Sequence, residues 1–374
     1  MTSSRRLILA LVLLFLCALM TGPASAGSSR YRIIDLTERA PVRQAEARSV
    51  NQAGEVVGFE LLPDFQAQAV YWNPNHDGYL LPRLTDDNSN SSYHINDSGL
   101  ITGVSELVTI ERVGDHIRVY FDSKASLWQG GVITDLNTLI RGGDDLVLES
   151  AAAGTVRSII TGIARRPYGN ERVGFRFDNG IVTELTGFPE GSLRVQPWAI
   201  SESGRIVGEF SYRGTHAFSW QDGVMIDLHN HPSLGGVTSR AFHVNNANQI
   251  VGEAQFLISH PESPVLWENG IPINLVGHLF SRPQGIATAI NSAGQIIGFV
   301  KDLDDRTSPF EGFLIEDGQY RRLLDLIPQD EGWDALLVPW DINENGWIVG
   351  GGMRHGQLGH AWLLIPNPLS DEQN

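Results

Sequence analysis

The chain has 374 residues, 42% of them hydrophobic and 19% charged, a balance that suits a large buried core and excludes a disordered chain. Its formal charge of −16 lacks the basic field that nonspecific binding to nucleic acid or to an anionic membrane surface requires. Forty glycines and nine tryptophans against 27 basic residues favour tight turns and aromatic anchors, and so an all-β fold.

Residues 1–26 carry the three parts of a secretory signal: Arg5 and Arg6, the apolar run from Leu7 to Met20, and the small-residue site Ala24-Ser25-Ala26. A spanning helix needs about 20 apolar residues, more than this run supplies. Cleavage after Ala26 would remove the only cysteine, Cys17, and two arginines, taking the formal charge to −18. The expectation is an exported chain, periplasmic or extracellular, with no membrane insertion after cleavage. Without disulfides it must be held by its core or by closure of its topology.

From Val50 onward a motif recurs. Val50-Asn51-Gln52-Ala53-Gly54-Glu55-Val56-Val57-Gly58 returns as Ile95-Asn96-Asp97-Ser98-Gly99-Leu100-Ile101-Thr102-Gly103, then around Ser201, Asn245, Asn291 and Asn343. The Asn side chain can bond the backbone ahead of it, and Gly supplies the positive φ of a tight turn between strands. Around residue 245 the Gly position holds Asn248, the non-glycine residue that best tolerates that conformation. A degenerate copy fits at Thr155 to Gly162.

Each turn is followed by a second pair of strands: in most units a segment ending in Trp, such as Ala69 to Trp72, Ala125 to Trp128 and Ala217 to Trp220, then an alternating segment ending in an acid and Leu, such as Val132 to Leu136. Alternation at period two predicts strands with one buried face. Turns at 51, 96, 155, 201, 245, 291 and 343 therefore mark four-stranded units at the spacing of propeller blades. The last unit stops at its third strand, His360 to Leu364, and Tyr31 to Leu36 supplies the missing fourth. The prediction is a seven-bladed β-propeller spanning 27–366 and closed by its two ends, with a short polar tail at 367–374. Six blades remain open because the third unit lacks the Asn, the turn Gly and the Trp.

His216-Ala217-Phe218, with Asn-x-x-Gly-x-Ile-Val-Gly before it in most units, resembles the HAF repeat of bacterial extracellular proteins. The resemblance covers nearly all of residues 30–366 and implies an exported propeller-like protein. It carries no catalytic residue onto this chain.

One face of such a propeller holds the short repeated turns. The other holds the connections 59–68, 104–124, 209–216, 253–264, 299–311 and 351–360 together with the blade-to-blade crossings, and variable loops on a rigid scaffold are where binding resides. Among the crossings, Asp330, Trp333 and Asp334 combine acids with an aromatic. The first-strand residues Tyr93, His94, Trp198, Phe242, His243, Trp340 and Asp341 should line or flank the central channel. His229 with His231 lacks a third metal ligand, and Gly142-Gly143-Asp144-Asp145 lacks the alternating acids of a calcium loop, so no metal or cofactor is expected, with calcium as the weaker alternative. No nucleophile or phosphate-binding motif occurs. The primary reading is a monomeric, non-catalytic binding module for a polysaccharide or an extracellular protein. A carbohydrate-active enzyme with converging carboxylates and a structural cell-surface protein are the alternatives.

Overall fold

The computed structural model describes residues 29–62, 66–113, 116–167, 171–305 and 309–368. Residues 1–28, which include the expected signal segment 1–26, and the end of the expected polar tail lie outside the described residues. Among the described residues no helix is long and apolar enough to cross a membrane.

Seven antiparallel sheets follow one another along the chain. We number them as blades 1 to 7 and letter their strands A (innermost) to D. The A strands are 46–50, 89–95, 147–154, 195–200, 239–244, 283–290 and 333–342. The degenerate third unit is a complete blade with strands at 147–154, 160–165, 172–178 and 181–184, so the count is seven. Gly142-Gly143 adds a short parallel edge to that blade. Strand D of blade 7 is Tyr31–Asp35, which pairs antiparallel with the C strand from Asp35↔Trp362 to Tyr31↔Pro366. The two chain ends thus close the ring.

The core is a set of seams between neighbouring blades. Ala45, Val50, Val56 and Trp72 of blade 1 pack on Val349, Ala361 and Leu363 of blade 7, and similar clusters fill the other seams. Three of the C-strand tryptophans fasten these seams. Trp72 Nε1 donates to the Leu36 carbonyl at 2.8 Å, Trp128 to Pro82 at 2.8 Å and Trp267 to Leu228 at 3.2 Å, each acceptor lying just beyond the D strand of the preceding blade.

The repeated Asn has two roles. Its Oδ1 closes its own A–B turn, as when Asn51 accepts from Ala53 N and Glu55 N. Its Nδ2 reaches the next blade: Asn51 to Asn96 O, Asn96 to Thr155 O, Asn245 to Asn291 O, Asn291 to Asn343 O and Asn343 to Asn51 O, at 2.6–3.2 Å. The circuit lapses only at Thr155 and Ser201, whose hydroxyls are too short. The neighbouring amide contact persists there, Val156 N to Glu202 and Glu202 N to Asn246, as it does from Gln52 N to Asp97 and from Ser292 N to Glu344. The turn glycines have φ of +74 to +88°, and Asn248 adopts +63° as expected.

Several predicted connections are strand. In blade 2, strands B and C run as 101–113 and 116–129, paired as far as Val113↔His116, so the expected 104–124 loop is a long hairpin. The 351–360 connection narrows to a turn at His355 and Gly356, both at positive φ. Period-two alternation simply continues past the sheet proper in these stretches.

Candidate functional site

Every A strand carries a β-bulge at the same height. The extra residues are Arg48, Tyr93, Ala152, Trp198, Phe242, Thr288 and Trp340. The cause lies on strand B. A Cβ on Gly58, Gly103, Gly162, Gly208, Gly252, Gly298 or Gly350 would stand 1.9–2.2 Å from the carbonyl oxygen two residues before the bulge, so only glycine lets the bulged strand pack there. The bulge turns its extra side chain toward the propeller axis. All seven line one central cavity of about 300 Å³, at the end of the channel opposite the Asn turns.

Seven of the expected first-strand residues are therefore brought together: Tyr93, His94, Trp198, Phe242, His243, Trp340 and Asp341 all line the cavity. Trp198 and Phe242 meet at 5.6 Å between ring centroids. Arg48 lies 3.8 Å above the Trp340 ring and 5.0 Å from that of Phe59, and Glu46 holds the stack by pairing with Arg48 at 3.1 Å and accepting from Trp340 Nε1. Sequence reasoning missed Arg48. A glycine recurs on strand B four residues after the Gly position of each turn, but the clash it relieves exists only once strands A and B are paired.

Below the bulge ring lies a polar floor. Asp341 accepts from Ser49 Oγ at 2.7 Å, Val50 N at 3.0 Å and Ile342 N at 2.9 Å. Ser49 Oγ accepts Ile95 N at 3.3 Å, and His243 Nδ1 accepts Ile290 N at 3.4 Å. Side chains of one blade thus satisfy amides of the next. His94 occupies the equivalent place in blade 2, but its Nδ1 is buried without a hydrogen-bond partner among the described residues. Burial pushes the pKa of both His94 and His243 down, with the nearby Asp341 opposing, so both rings are neutral at neutral pH.

The wall from blades 2 to 4 is charged and self-paired. Glu149 holds Arg172 at 2.7 Å and Arg165 at 3.3 Å, and Glu106 accepts from Ser123 Oγ at 2.7 Å. Each lining carboxylate, Asp341 included, is engaged by donors of its own wall.

Asp330, Trp333 and Asp334 lie outside this cavity. Trp333 packs against Arg354 at 5.7 Å and His360 at 6.0 Å, on blade 7 itself, and Asp334 accepts Gly356 N at 2.7 Å; Asp330 is exposed in the preceding turn. His229 has both ring nitrogens within bonding distance of Ser239 Oγ and Gly236 O. Asp144 accepts Glu184 N at 2.6 Å. Among the described residues no group of three or more His, Cys, Asp or Glu could hold a metal ion.

No family profile matches the chain, and no curated protein matches it. Its fold is similar to that in crystal structures of puromycin hydrolase, at 13% identity and a TM-score of 0.52, covering 90% of this chain and 54% of that one. It is also matched to virginiamycin B lyase from Staphylococcus aureus, at 14% identity and a TM-score of 0.43 over 90% and 99% of the two chains. The chain spans about half the length of the puromycin hydrolase structures, and at these identities the likeness is one of fold alone.

Proposed function

We propose that this chain is an exported, non-catalytic propeller of the HAF-repeat kind, acting as a monomer and binding a saccharide group of a polysaccharide or of an extracellular protein in its central cavity. One observation carries the reading: a single repeated backbone device aims seven side chains of six types into one space, and four of them are aromatic. A scaffold requirement would be met by one residue type in every blade. Aromatic faces beside polar groups suit sugars, whose rings have apolar faces and polar edges. A cavity of about 300 Å³ suits a terminal or branching sugar rather than a long internal stretch. The self-paired carboxylates favour binding over acid–base chemistry, which needs an acid and a base facing the bond to be cut.

The test is co-sedimentation of residues 27–374 with a panel of polysaccharides, with and without calcium, while released sugars are assayed in the supernatant. We expect binding without release, unaffected by chelation, weakened at least tenfold by Trp198→Ala and unchanged by Trp333→Ala. Release of sugars would move the chain to the carbohydrate-active alternative, and failure to bind any glycan would sink the saccharide reading.

A further inference from the structure

We infer that the loop face holds a second, apolar pocket for an alkyl or acyl arm of the ligand, so that the molecule recognised is an amphiphile; this rests on reading the central cavity as a ligand site. The residue after the strand-B glycine is Phe59, Val104, Ile163, Glu209, Glu253 and Phe299 in blades 1 to 6, and Gly351 in blade 7. Where that one side chain is missing, a pocket of about 110 Å³ opens. Phe59 and Phe299, the equivalent residues of the two flanking blades, form its walls, with Leu61, Leu337 and Leu358.

Backbone geometry does not demand this glycine. Gly351 is not among the residues at positive φ, and a Cβ there would meet only the flexible Glu46 side chain, with its Cγ at 3.2 Å. Its neighbours differ, since a Cβ on Gly350 or Gly352 would meet a backbone carbonyl oxygen at 2.2 or 2.5 Å. The gap is therefore free of a folding requirement at residue 351.

The pocket adjoins the central site. Phe59, Leu61 and Trp340 line both, and the Arg48 guanidinium stacked on Phe59 and Trp340 stands on the side of the central cavity. Gln44 and Glu46 are the polar side chains of the lining, and the Glu46 carboxylate is engaged by Arg48 and Trp340. A polar head in the cavity would carry its arm over the Trp340 edge into this space. Small pockets lined by apolar groups hold water poorly and accept hydrocarbon, and each buried methylene should tighten binding about fourfold.

Binding of methyl and n-octyl β-glucoside below micellar concentration, and of 1-hexanol as an arm without a head, would be measured by calorimetry on the wild type, Gly351→Leu and Leu337→Ser. The first variant fills the pocket and the second makes it polar without adding bulk. We expect the octyl glycoside to bind at least tenfold tighter than the methyl one, hexanol to bind saturably, and both effects to vanish in either variant while the methyl affinity holds. Equal affinities for the two glycosides with no saturable hexanol binding would overturn the inference, as would gains that survive both variants. Hexanol binding lost in the variants, with neither glycoside bound, would uphold the alkyl site and defeat the saccharide reading.

Discussion

A carbonyl oxygen 1.9 Å from where the Cβ of residue 58 would sit is the reason the repeat ends in glycine. Gly58→Ala must push strand A away or remove its bulge, and should cost about 3 kcal/mol, at the upper end for overpacking; a thermal melt that barely moves would contradict this. The bulge residue itself is free to vary, so Trp340→Ala should leave the melting temperature nearly unchanged beyond its packing with Arg48 while lowering ligand affinity. A different residue-scale effect lies between blades 4 and 5. Arg240 bonds Glu209 at 2.8 Å and also Glu253, with Glu262 close by, and burial first of all pushes the Glu253 pKa from 4.5 up to about 7. A carboxyl whose folded pKa is raised contributes stability that is complete below its unfolded pKa and is lost as pH rises through the folded value. Glu253→Gln should therefore gain melting temperature relative to the wild type between pH 5 and pH 8, and a gap that stays constant with pH would refute the assignment.

At the scale of elements, the A–B turns form a belt rather than seven separate hairpins. Five Asn side chains donate across blade boundaries, and the belt is interrupted where the sequence has Thr155 and Ser201. Asn291→Ala should cost about 1–2 kcal/mol, because it removes a turn acceptor and the bond across the blade boundary, leaving the Asn343 carbonyl with Gly346 N as its donor. The converse is the sharper experiment: Thr155→Asn with Ser201→Asn should complete the belt and raise the unfolding temperature by a few degrees, on the order of 1 kcal/mol per added bond. The turn was legible in the sequence because Asn and Gly obey local rules. The belt was not, because the partner carbonyl lies 45 to 59 residues away, or 292 where Asn343 meets Asn51, and only the closed ring brings it within reach.

For the whole molecule, closure by Tyr31–Asp35 replaces the disulfides that the chain lacks after residue 26. Tyr31 and Leu36 are fully buried, and Asp35 binds both His360 at 2.7 Å and Arg354 at 3.1 Å across the junction. A chain beginning at Thr37 would expose the C-strand edge from Trp362 to Pro366 to pairing with other molecules. We expect it to melt at least ten degrees lower and to form oligomers by light scattering, against a monomer for residues 27–374.

The all-β class, the blade period, the closure by the chain ends and the first-strand candidates could all be read from the residues, since each depends on local turn chemistry or on alternation that repeats. Blade 3 shows the limit: with Ser158 at φ +61° in place of Gly and no C-strand Trp, only its pairing with neighbours decided that it is a blade. The bulges were hidden because a bulge is set by the clash between two strands, and so the inward aim of Arg48 and the convergence of the seven bulge residues required the tertiary structure. The same holds for Trp333, whose acidic surroundings suggested a site but which the fold packs against its own blade. Periodicity places a residue along its strand; the space it faces is made by strands from every other blade.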